Sequence, residues 1–201
     1  MTASGSSPER AQAPAFAPSL RWRAAVALGV AGVVVAVDQA TKAAVRAAAA
    51  AGGGAWGADL IPGVIGLRFV RNTGAAFSLG EGFSGAFIAL AVAVIVAMTA
   101  YLARTRLVSR VEVAGLAMVA GGAVGNAIDR AAFGYVTDFF ATEFMDFAVF
   151  NVADIGITVG VVVAFIGFAL LSPANKVDAT AELNRRDADA AARRAERRRR
   201  G

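Results

Sequence analysis

Gly121-Gly122-Ala123-Val124-Gly125-Asn126-Ala127-Ile128-Asp129-Arg130, then Val136-Thr137-Asp138-Phe139, then Phe150-Asn151-Val152-Ala153-Asp154, decide the reading of this chain. These three segments of residues 121–154 carry three acids, two amides and an arginine between apolar runs that each look like a membrane helix. An ionisable group is costly in such surroundings and marks a functional site by default.

Composition agrees with the membrane setting. With 57% hydrophobic and 17% charged residues and a mean hydropathy of +0.59, the chain is too apolar for an ordinary soluble domain of 201 residues. The net charge of +5 does not point to nucleic acid, because the basic residues gather at the termini and in one short loop rather than on an aromatic-studded face. Neither Cys nor His occurs. Disulfides, thiol nucleophiles, imidazole bases and the Ser-His-Asp triad are therefore excluded, and chemistry must rest on Asp, Glu, Lys, Arg, Ser, Thr, Tyr or the backbone.

Outward from that stretch, residues 1–19 are rich in Ala, Ser and Pro without apolar periodicity and read as a disordered leader. Arg21 and Arg23 precede an apolar run that is followed by Asp38-Gln39-Ala40-Thr41-Lys42 instead of a small-residue cleavage site, so the first span is expected uncleaved at about 20–39. Residues 43–57 suggest a short helix and a loose turn. In 60–79, short β-rich runs alternate with Pro62, Gly63, Gly66 and Asn72-Thr73-Gly74, which predicts a small sheet at the membrane surface. Further spans are expected at about 83–102, 113–128 and 155–171, which closes a four-span domain over 20–172. Residues 173–201 read as a solvated, disordered basic tail, with contact to anionic lipid a secondary role.

Charge sets the expected orientation. Fifteen of the 20 Lys and Arg residues precede span one, join spans two and three, or follow span four. The positive-inside rule then puts both termini in the cytoplasm. The segments 38–82 and 129–154 share the outer face, which brings Asp38, Asp129, Asp138 and Asp154 toward one membrane surface.

Two carboxylates that approach closely cannot both ionise, so one keeps a proton, and together they can activate water and protonate a leaving amine. Asp129, with Arg130 beside it, reads as a structural, paired carboxylate. Asp138 and Asp154 lack an adjacent cation in sequence and are the better proton carriers. Taken singly, Asp154 also fits a helix-capping acid, Asn126 and Asn151 fit interhelical hydrogen bonding, and Gly121, Gly122 and Gly125 fit close packing. Lys42 fits an interfacial anchor. Their co-occurrence on one face favours a site.

Together the segments Asp38-Gln39-Ala40-Thr41-Lys42, Arg71-Asn72-Thr73-Gly74-Ala75-Ala76-Phe77-Ser78 and the three quoted above resemble the lipoprotein signal peptidases (signal peptidase II), bacterial membrane aspartic peptidases, in the family's order. The resemblance covers about residues 20–171. It implies a mainly α membrane protein with four transmembrane helices and a small periplasmic β-cradle between helices 1 and 2. It implies a bacterial inner-membrane hydrolase that removes the signal peptide before a diacylglyceryl-modified cysteine of a prolipoprotein. Asp138 and Asp154 match its catalytic pair. Asp38, Lys42, Asn72, Gly74, Asn126, Asp129, Arg130, Asn151 and Ala153 match residues that line or support the site. The expected partners are lipidated prolipoproteins and membrane lipid, and the expected state is a monomer with no metal, cofactor or nucleic acid.

The stretch 139–149 does not align position by position and leaves Glu143 and Asp146 without a role. Two rival readings are weaker. Ser78 or Ser84 with Lys42 would make a serine-lysine peptidase, yet no serine sits beside a convincing base. A proton-coupled carrier would need acids near mid-membrane, whereas these lie at span ends.

Overall fold

The computed structural model describes residues 18–54, 56–74, 84–105, 107–172, 187, 188 and 193. Nearly all of the leader and tail, and residues 75–83 with Ser78, lie outside them. Four helices long and apolar enough to cross a membrane run Leu20–Ala51 (α1), Ser84–Arg104 (α2), Arg110–Phe133 (α3) and Val152–Leu171 (α4). Three strands, Gly57–Ile61 (β1), Ile65–Asn72 (β2) and Val136–Thr142 (β3), form one antiparallel sheet in the order β1-β2-β3.

One expectation needs correction and another is extended. Helix α1 does not end near Gln39 but runs on without a break through Ala51. Its extension holds seven alanines in nine residues, the strongest helix former, and stops only at Gly52 and the positive-φ Gly53 and Gly54. At 1.5 Å per residue Asp38 sits about 27 Å along the helix, near the edge of a bilayer core, and the turns beyond it project past that edge. The cradle, moreover, is not confined to the segment between α1 and α2. Its third strand comes from the α3–α4 connection, with Leu67 opposite Phe140, Val70 opposite Asp138 and Asn72 opposite Val136.

The membrane helices turn apolar side chains outward, as lipid requires: α2 has no buried residue among those described, and Leu28, Phe165 and Leu170 are each more than 60% exposed. Cohesion comes from small residues. A Cβ on Gly115 would lie 2.2 Å from Ala164 N, so α3 and α4 touch backbone to backbone there. Gly122 repeats this at the other end, where a Cβ would lie 2.3 Å from Ala153 O and push the first turn of α4 away. Both helices carry capping boxes, Ser109 with Glu112 on α3 and Asn151 with Asp154 on α4.

One end of the bundle is basic. Arg23 donates to the carbonyls of Pro18, Leu102 and Thr105, and Arg110 stacks on Trp22 at 5.4 Å. The sheet and Asp38, Asp129, Asp138 and Asp154 lie at the opposite end.

Candidate active site

Three helices and two strands converge on a double layer of polar side chains. The lower layer is ionic. Lys42 Nζ lies 2.9 Å from Asp38 Oδ2 and 3.7 Å from Asp129 Oδ2, with all three side chains fully buried. Arg46, one turn beyond Lys42, reaches Asp129 Oδ1 at 3.2 Å and donates to Thr137 Oγ1 at 3.0 Å. Two carboxylates thus meet two cations, which is how a cluster this buried avoids a stranded charge. Gly125 makes room for it, since a Cβ there would come within 2.5 Å of Asp38 Oδ2. The Ala153 N–H completes Asp38 at 2.9 Å and the Thr137 N–H completes Asp129 at 2.8 Å, tying α4 and β3 to the layer.

The upper layer holds its carboxylates by amides rather than by cations. Asp138 accepts from Asn72 Nδ2 at 2.8 Å and from Asn151 Nδ2 at 2.6 Å. Asp154 accepts from Asn126 Nδ2 at 2.8 Å and from the Asn151 N–H at 3.1 Å, the latter within its capping box. Asn126 joins the layers: its Oδ1 accepts from Lys42 Nζ at 2.8 Å and Asn151 Nδ2 at 3.1 Å, while its Nδ2 faces Asp154. Both oxygen partners are donors and the nitrogen partner is a carboxylate, so one amide orientation satisfies all three contacts. Asn72 is oriented likewise, its Oδ1 accepting from the Gly74 N–H at 3.0 Å.

Asp138 and Asp154 line a cleft of about 540 Å³ with Asn72, Asn126 and Arg130, faced by Val136, Phe147, Phe150, Ile155 and Val159. Few polar groups converging on an apolar cleft is the pattern of a ligand site. Arg130 donates to Gly74 O at 2.8 Å and lies over the Phe87 ring, leaving its buried Nε without a hydrogen-bond partner among the described residues. Burial pushes the Asp138 carboxyl up from its ordinary 3.8 to about 6. The hydrogen bond from Asn72 opposes that rise and the charge of Asp154 adds to it.

A sequence profile of signal peptidase (SPase) II, Peptidase_A8, matches residues 30–170. The chain belongs to the signal peptidase II family. It is therefore an aspartic peptidase. A lipoprotein signal peptidase of Enterococcus faecalis is 43% identical over 118 residues, 59% of this chain and 73% of that protein. One from Parasynechococcus marenigrum is 42% identical over 139 residues, 69% and 86%. A bacterial membrane enzyme solved by the in meso method at 2.3 Å superposes with a TM-score of 0.62 at 28% identity, covering 72% of this chain and 87% of that one. A second, at 1.9 Å, gives 0.63 at 25% identity, covering 73% and 94%.

The eleven residues singled out from sequence gather at this double layer and its cleft, but not always with the partners expected. Asp129 pairs with Arg46 and Lys42 from α1, and Arg130 turns away to Gly74. Lys42 is no interfacial anchor, being fully buried. Asp154 is both a capping acid and a wall of the cleft. Sequence reasoning overlooked Arg46, Thr137 and Gln39, whose Nε2 touches Asp38, Gly125 O and Asp129 at 3.0–3.3 Å. Arg46 had a signal: in a continuous α1, Asp38, Lys42 and Arg46 follow one another at i+4 spacing on one face.

Proposed function

We propose that this membrane peptidase cleaves the signal peptide from diacylglyceryl-modified prolipoproteins, with Asp138 and Asp154 as its catalytic pair. The observation that carries the reading is two carboxylates held by amides, side by side on the polar wall of an otherwise apolar cleft. The relatives named as lipoprotein signal peptidases support the substrate class.

Asp138 holds the shared proton, consistent with its raised pKa. Asp154, at the N-terminus of α4 with two N–H donors on it, carries the charge. The ionised carboxylate takes a proton from the attacking water, the neutral one hydrogen-bonds the scissile carbonyl oxygen, and the proton then passes to the leaving nitrogen. Apolar helix surfaces beside the cleft receive the signal peptide and acyl chains laterally from the bilayer. The segregation of Arg23, Arg104 and Arg110 to the end opposite the cleft supports cytoplasmic termini and a site near the periplasmic face of the bacterial inner membrane.

The serine-lysine alternative has little support. Lys42 is enclosed by Asp38 and Asn126, and Ser84 donates to Gly134 O at 2.9 Å. Incubating the purified protein with a diacylglyceryl-modified prolipoprotein and with its unmodified form tests the substrate class. Cleavage of the modified form alone is expected; equal cleavage of both would remove the lipid from the proposal.

The pair also predicts a pH profile. The proton on Asp138 is half lost at about 6 in the free enzyme, so kcat/KM falls on the alkaline side of that value. Asn72→Leu removes the hydrogen bond that favours the charged form, so the alkaline limb moves to higher pH even as the maximum falls. A limb that moves down, or stays, would contradict the proton's assignment to Asp138. The stability sign follows from the same shift: the folded chain holds this proton more tightly than the unfolded chain. The contribution is fully present below pH 3.8 and is lost as pH rises through about 6.

A further inference from the structure

Glu143 ends up in a more constrained place than a loop acid needs. It follows β3 directly and opens the connection that runs from the strand of Asp138 to the cap of α4. Its N–H donates to Val64 O at 3.0 Å, and its side chain folds back so that Oε2 accepts from the Gly63 N–H at 3.0 Å. Oε1 lies 3.5 Å from Arg68 Nη2. The β1–β2 hairpin leaves space for this carboxylate, because a Cβ on Gly66 would meet Oε1 at 2.7 Å. The Arg68 side chain is 65% exposed against 20% for Glu143, so water screens the ion pair and the Gly63 N–H is the stronger tie.

The rest of the connection is pinned as well. Thr142 Oγ1 donates to Met145 O at 3.1 Å, and Phe150 exchanges backbone hydrogen bonds with Phe140 at 2.8 and 3.1 Å. Between these points Phe147, Ala148, Val149 and Phe150 form an apolar wall of the cleft that holds Asp138 and Asp154. Glu143 thus ties the hairpin turn to the start of the connection whose far end forms this wall, whereas the two aspartates are held by separate amide contacts.

We propose that Glu143 is a positioning residue for substrate binding, clasping the β1–β2 turn so that the Phe147–Phe150 wall stands where it can grip the apolar part of a lipidated substrate. It touches no reacting group. Loosening the clasp costs contact with bound substrate but leaves the aspartates in place, so the effect falls on KM and not on kcat. This inference rests on the lipoprotein-peptidase reading.

Steady-state cleavage of a diacylglyceryl-modified prolipoprotein by wild type, Glu143→Ala, Glu143→Gln, Arg68→Ala and Gly66→Ala tests it. Glu143→Ala is expected to raise KM by about four- to fifteenfold, the effect of one or two methylenes of lost burial, with kcat within about twofold. Glu143→Gln keeps an acceptor for the Gly63 N–H and Arg68→Ala keeps the carboxylate, so both stay near the wild-type KM. Gly66→Ala evicts the carboxylate and raises KM as Glu143→Ala does, and the double variant is no worse than either single one. An unchanged KM in Glu143→Ala, a fall confined to kcat, or additive effects of the Gly66 and Glu143 substitutions would overturn the clasp. Should Glu143→Ala fail to fold, Glu143→Gln and Gly66→Ala decide alone. Failure of the wild type to cleave this substrate overturns the peptidase reading itself, whereas wild-type cleavage with an unmoved KM in Glu143→Ala and Gly66→Ala overturns only the clasp.

Discussion

Asp138→Asn is expected to lower kcat by roughly 10²–10⁴-fold or more, as is Asp154→Asn, with the double variant little worse than either single one, because in the proposed mechanism the two carboxylates act as one proton-sharing unit. The substitution keeps shape and polarity and removes only the ability to hold or release a proton. It has a structural side effect that must be separated. Asp138 accepts from two amide nitrogens and Asp154 from two N–H groups, so an asparagine at either position turns one acceptor into a donor facing a donor. That mismatch costs about 1–3 kcal/mol of stability, small beside the loss of rate. Measuring the unfolding midpoint in detergent beside the single-turnover rate distinguishes the two. A variant that folds and cleaves at the wild-type rate would remove that aspartate from the catalytic pair.

The spans were legible because lipid imposes long apolar runs, and the acids stood out because those runs make them costly. What sequence left hidden has particular physical reasons. The strand that carries Asp138 is buried on both faces, with Val136, Thr137, Asp138 and Phe139 all below 4% exposure, so it lacks the alternation that marks a half-buried strand. The partner of Asp129 was misjudged because adjacency in a helix separates side chains by about 100° around the axis, while i+4 spacing aligns them. Arg130 is next to Asp129 in sequence and points to Gly74; Arg46 is 83 positions away and pairs with it. The glycines of residues 121–125 were read as close-packing positions or as part of a site, and the structure makes these one function. Gly122 lets α4 approach α3 and Gly125 leaves space for the Asp38 carboxylate, so close packing is the means by which the polar residues meet.

Lys42→Met carries the second large expected effect, on stability and activity together. The side chain is close to lysine in length but brings no charge, and it leaves Asp38 buried with only the Ala153 N–H and Gln39 as partners while Arg46 still serves Asp129. Breaking a buried ion pair from one side costs about 3–5 kcal/mol, enough to bring a marginally stable domain near unfolding. Activity falls for a different reason: Asn126 Oδ1 loses its lysine donor and keeps only Asn151 Nδ2, so the amide that holds Asp154 is less firmly fixed. Adding Asp38→Asn separates the two effects. The double variant has no stranded carboxylate and recovers much of the unfolding midpoint, yet its kcat stays low because Asn126 still lacks the donor. If Lys42→Met were as stable as wild type, the lower layer would not be the ionic cluster its geometry describes. If the double variant regained full activity, the link from Lys42 through Asn126 to Asp154 would have no part in positioning the carboxylate.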